Sequence, residues 1–206
     1  MGQYYNPVIE QNNVKKAYDR SVNGEYMLAK LTEHSWIFNP TCEYISYLLY
    51  NHPGRVAWIG DYAEKDMCKN QAVNEETMAR LIDLAWGENA DLERITTTPE
   101  IDKFSISKHK YILNHDKKCY IDMKMYYGLN DQFWPSEEGE EPEEAGCLHP
   151  IPLLTCVGNG LGGGDFYENQ ESTNELIGAW TWDLIEVSDK LPEDYEEVRA
   201  VFRGNI

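Results

Sequence analysis

Between residues 158 and 165 the sequence reads Gly-Asn-Gly-Leu-Gly-Gly-Gly-Asp, with five glycines in eight positions. Glycine lets a backbone approach a ligand closely, and successive N–H groups can cradle an anion. Gly158, Asn159, Gly160, Gly162, Gly163, Gly164 and Asp165 therefore make a candidate site for a nucleotide or other small anion. The pattern is neither G-x-G-x-x-G opening a helix nor the phosphate loop that ends in Gly-Lys-Ser/Thr. No lysine follows, and Asp165 places a carboxylate at the mouth. A phosphate site with a carboxylate and no cation is electrostatically poor. The simpler reading is a wound loop between two strands, and a nucleotide screen is expected to find no binder.

His149 precedes the loop by nine residues and would serve as a general base if the fold brought it to Asp165. A lone histidine beside a proline is more often a satisfied core or loop residue. Asp61 and Asp183 join the candidate list through an internal echo. Residues 57–64 and 179–186 both read A-W-x-x-D-x-x-E. On strands this spacing sets Trp and Asp on opposite faces. The plain expectation is two core strands, each with a Trp inside and an Asp at its solvated end. The alternative is a pair of aspartates facing one cleft.

No catalytic residue is assigned. The five histidines form no H-x-x-x-H or H-E-x-x-H frame, and Ser35 lacks a G-x-S-x-G elbow. Cys42, Cys68, Cys119, Cys147 and Cys156 contain no C-x-x-C pair and read as reduced thiols of a cytoplasmic protein. Cys147, His149 and Cys156 match no standard zinc spacing, so neither a metal nor a cofactor is expected.

The segment 136–144 holds Glu137, Glu138, Glu140, Glu141, Glu143 and Glu144, six acids in nine positions. Such density repels itself and reads as a mobile acidic loop over 136–146. It either solubilises the chain or lies, phosphate-like, in a basic groove, with Asp189, Glu193, Asp194, Glu196 and Glu197 extending it. The whole chain supports the second use. Its 206 residues carry 36 acids against 18 Lys and Arg, a formal charge of −18. That balance disfavours direct binding to nucleic acid or an anionic membrane and suits a basic protein partner. The first residues show no basic-then-apolar signal pattern, and the longest apolar stretch, near 151–157, is too short to span a bilayer.

The elements that would position these residues read as one α+β domain over 1–206, an antiparallel or mixed sheet with two or three packed helices. Strands are predicted at 3–10, 14–18, 55–61, 151–157 and 176–187, with a hairpin of 111–113 and 120–123. Helices are predicted at 40–51, after Asn39-Pro40, and at 75–86, after Asn74. A final short helix is expected to dock Tyr195, Val198 and Phe202. Trp58 and Trp180 should be buried.

Several blocks together carry a likeness: Met1-Gly2-Gln3-Tyr4-Tyr5, residues 57–63, residues 148–155, the glycine loop, and Gly178-Ala179-Trp180. On them the chain resembles a family of small phage and bacterial proteins with no established activity. The likeness runs from residue 1 to about residue 187 and implies a phage setting but no catalytic residue. Members carry Arg where this chain has Leu161, and Ala-Gly where it has Thr181-Trp182. The expected function is a non-enzymatic, phage-type protein that inhibits a host-defence effector by occupying its nucleic-acid-binding surface, much as anti-CRISPR proteins do. The alternative is a small-ligand protein or enzyme using the glycine loop.

Overall fold

Alternation builds the centre of the molecule. In the computed structural model, Val56 and Trp58 turn to one side of their strand while Ala57 and Ile59 turn to the other, and both sides are buried. A strand covered on both faces reads as a continuous apolar run, which is what residues 56–59 are. The structure describes residues 2–23, 25–26, 30–133, 147–160 and 174–202.

In chain order the elements are β1 (Tyr5–Gln11), β2 (Val14–Val22), β3 (Glu25–Tyr26), α1 (Leu31–His34), α2 (Pro40–Leu49), β4 (Gly54–Gly60), α3 (Glu75–Trp86) and β5 (Leu92–Ile95). There follow α4 (Pro99–Ser107), β6 (Tyr111–Asn114), β7 (Cys119–Asp122), α5 (Met123–Phe133), α6 (Pro150–Thr155), β8 (Cys156–Val157), β9 (Leu184–Ser188) and β10 (Glu196–Glu197). The mixed sheet runs β10-β7-β6-β9-β4-β1-β2-β3, with β5 beside β2 and β8 beside β4. The expected α+β class is what the structure has. One face packs Tyr5, Ile9, Val56 and Trp58 under Ile45, Phe104, Tyr126 and Leu154 from α2, α4, α5 and α6. The other packs Val8, Ala57, Ile59 and Val157 under Met78, Leu81 and Ala85 of α3. Trp58 and Trp180 are each 2% exposed, as expected.

Local signals explain several boundaries. Asn12 and Asn13 both take positive φ, 52° and 62°, the geometry of the two-residue turn that matches strand twist. The Asn39 side chain accepts from Thr41 N at 2.9 Å, and Pro40 follows at the first helical position. The Asn74 side chain accepts from Thr77 N at 2.8 Å to start α3.

Three expectations are corrected. The apolar run 151–157 is not one strand: residues 150–155 are α6, and only Cys156–Val157 pair with β4. Pro150 at the first position and the His149 cap set the helix going. The span 176–187 is not continuous strand either. It holds a 3-10 turn at Asn174–Leu176 and further turns, and becomes β9 only at Leu184. Gly178 at φ 72° and Trp182 at φ 63° break it. The tail forms no helix; it runs extended and adds β10 parallel to β7. The structure also has more helices than the two or three expected.

Gly178 is required by its surroundings. A Cβ there would stand 2.6 Å from the Cys156 carbonyl oxygen, on a backbone conformation that L residues rarely adopt. Gly178→Ala is expected to lower stability by about 2 kcal/mol, read by denaturant unfolding. An unchanged midpoint would show that the 178–183 turn relaxes freely.

Candidate functional site

Glu137, Glu138, Glu140, Glu141, Glu143 and Glu144 lie outside the described residues, as do Gly162, Gly163, Gly164 and Asp165. The other candidates separate into three places.

The first is the shared carboxyl end of β4 and β8. These strands run parallel, with Ile59 opposite Val157, so Gly60 and Asp61 advance beside Gly158 and Asn159. Gln3, wholly buried, locks this end. Its Oε1 accepts from Tyr5 OH at 3.0 Å and from Asn159 N at 3.2 Å. Gly60 and Gly158 leave room for it: a Cβ on either would come within 2.5 Å of the Gln3 amide. Gly160 follows at φ 67° with open space around it. Tyr4 N donates to the exposed Asp61 at 3.1 Å, and Asp61 N donates to the Tyr4 carbonyl at 2.9 Å. The structure thus brings Asp61, Gly158, Asn159 and Gly160 together.

Sequence reasoning missed what shares that end. Ile59 and Val157 pack on the α3 side, and just past them the chain leaves both strands. There the Arg20 guanidinium lies over two rings, Tyr4 at 4.8 Å and Trp86 at 5.5 Å. The Trp86 Nε1–H donates to the Ile59 carbonyl at 2.8 Å, which fixes the ring.

The second place is Asp183, which does not join Asp61. Its carbonyl meets Val56 N near the start of β4, five residues from Asp61, or about 17 Å along a strand. Nor is it solvated. It is 3% exposed, and its carboxylate accepts from Asn70 at 2.8 Å, from Asn114 at 2.7 Å and from Lys117. Asn70 also donates to the Thr181 carbonyl at 2.8 Å, and Asn114 accepts from Lys117 N at 2.9 Å. The network ties the 115–118 turn and residue 70 to the turn before β9. Burial raises the neighbouring thiols, Cys119 to about 11 and Cys68 above its ordinary value, so neither is an activated thiolate at neutral pH. Asp183→Asn removes the charge on which all three donors converge. It should cost about 2 kcal/mol, read as a fall in the denaturation midpoint. A midpoint equal to the native one would mean the network is not structural.

The third place is interior. His149 is fully buried, and burial drives its pKa down to about 3, so it is neutral. Its Nδ1 accepts from Ile151 N at 3.3 Å, and its Nε2 lies 3.2 Å from Ser46 Oγ. A neutral imidazole that accepts at Nδ1 carries its proton on Nε2. His149 therefore donates to Ser46 and cannot take its proton. The pair caps α6 and does not activate a nucleophile. Beside it lies His109, 2% exposed and lowered by burial to about 4, with Tyr127 OH 3.2 Å from its Nδ1. Glu43 is 2% exposed, and burial raises it to about 7. Ser105 and the Phe38 backbone approach its carboxylate without closing a well-formed hydrogen bond.

Among the described residues no group of three or more His, Cys, Asp or Glu side chains is placed to hold a metal ion. None of their helices is long and apolar enough to cross a membrane. The chain matches no family model, no curated protein and no solved structure.

Proposed function

We propose that this protein is a non-enzymatic binding protein that occupies the basic, nucleic-acid-binding surface of another protein. In the phage setting that the sequence resemblance implies, that partner is a host-defence effector and the outcome is its inhibition. The observation that carries this reading is where the charge sits. Among the acids whose burial is described, only Glu43 and Asp183 are buried, so the others of that set meet solvent at least in part. The edge strand β10 is itself Glu196–Glu197, both exposed, with Glu193 exposed just before it. A polyanionic surface of this kind attracts a basic groove over long range and competes there with phosphates.

The test is capture from a bacterial lysate on the immobilised full chain. A basic nucleic-acid-binding protein, released by salt and displaced by added DNA, is the expected result. A partner that is not basic, or that DNA fails to displace, would overturn the proposal.

A further inference from the structure

Arg20 is an anomaly in so acidic a chain. The atom Nε of its guanidinium is buried and has no acceptor, and among the described residues no other cationic group is left so. No described carboxylate forms an ion pair with it. The nearby carboxylate Asp61 is engaged instead by the Tyr4 backbone N–H. A buried donor without an acceptor is costly, and in a native structure it marks a strained spot or an absent partner.

The surroundings limit what that partner can be. The Tyr4 and Trp86 rings take up space beside the guanidinium, 4.8 and 5.5 Å from its carbon, which leaves the N–H groups of the fork as its means of holding a partner. Such a fork is the geometry that holds a phosphate or carboxylate with two parallel hydrogen bonds. The rings also displace water, which strengthens a charged hydrogen bond. Asp61, bonded to the Tyr4 backbone, and Asn159, bonded to Gln3, also stand at this strand end. A carboxylate there favours an oxyanion that also presents a hydroxyl or amino donor.

We infer that Arg20 anchors a binding site for a small oxyanion, a phosphate or carboxylate group, at the shared carboxyl end of β4 and β8. Occupation of this site is independent of any basic partner, so its test stands apart from that of the proposed function.

The experiment uses the isotope-labelled full chain and follows the Arg20 Nε–Hε resonance, assigned through its side-chain correlation to the Arg20 backbone. Inorganic phosphate, acetate and adenosine monophosphate are titrated separately against sodium chloride of matched ionic strength. A saturable shift with at least one of the three, absent with chloride, is the expected result. Movement with acetate alone identifies a carboxylate site, with both phosphates a phosphate site, and with the nucleotide alone an esterified phosphate. Arg20→Lys keeps the charge and loses the fork, and should weaken binding roughly tenfold or more. Arg80→Gln, on the exposed side of α3, should leave it unchanged. No shift with any of the three overturns the inference, as does equal weakening by Arg80→Gln. If Arg20→Lys fails to fold, the resonance of the native protein still decides.

Discussion

Reversal of Glu137, Glu138, Glu140 and Glu141 to lysine is expected to slow association with the captured partner by roughly ten- to a hundredfold at low salt. Dissociation should change by much less. Four reversals, two charge units each, take the net charge from −18 to −10 and place the whole change in one segment. Long-range attraction acts before contact, so it enters the association rate, and it fades beyond a Debye length of about 8 Å at physiological ionic strength. The native protein should therefore associate more slowly as salt rises, and the variant should show a flatter salt dependence. An acid buried on binding behaves differently, since truncating it alone speeds release.

A second variant locates the face. Glu193→Lys with Glu196→Lys alters the β10 edge, where neither residue has a described ion pair, whereas Asp194 is held by Lys118 at 2.5 Å and Glu197 by Arg199 at 2.9 Å. If only this pair slows association, the sheet edge is the docking face and the 137–144 segment is a solubilising insertion. If the rate is flat with salt and both variants bind as fast as the native protein, charge mimicry is not how the partner is held.

The parts of the molecule that were legible in the sequence are those fixed by neighbours in the chain. Asn39-Pro40 and Asn74 start helices through their own side chains, Asn12-Asn13 makes its turn, and the run at 56–59 announces a strand buried on both faces. The run 151–157 misled because a short apolar stretch fits a buried strand and a buried helix alike. Pro150 behind a capping His149 was the local sign that decided it. Neither polar site was legible. Asp183 draws its donors from residues 70, 114 and 117, and the Arg20 end is assembled from residues 4, 20, 61, 86 and 159. No linear motif spans such distances; the pairing of β2 with β1, of β1 with β4 and of β6 with β9, and the packing of α3 on the sheet, bring them together. The Trp-Asp echo likewise dissolves, because Asp61 ends a strand at the surface while Asp183 sits in a buried turn.

Burial of Glu43 makes the last prediction, which concerns the slope of stability against pH. Its folded pKa of about 7 lies above the ordinary 4.5, so the folded state holds a proton that the unfolded chain has released between those values. The associated stability is full below pH 4.5 and is lost as pH rises through 7, on the order of 3 kcal/mol in all. His109 and His149 act in the opposite sense. Their folded values of about 4 and about 3 lie below the ordinary 6.5, so stability is full above pH 6.5 and is lost as the unfolded chain takes up their protons on acidification. Between pH 4.5 and 6.5, unfolding thus takes up two protons at the histidines and releases one at Glu43. Glu43→Gln removes the opposing proton. In that window its stability should fall with acidification more steeply than the native protein's, by about 1.4 kcal/mol per pH unit. A constant offset from how the amide packs beside Tyr127 shifts the whole curve and leaves the slope alone. Urea unfolding at half-unit pH steps measures both curves. Parallel curves would mean that Glu43 titrates as an ordinary solvated carboxylate, and that the interior beneath α2 is wetter than its burial indicates.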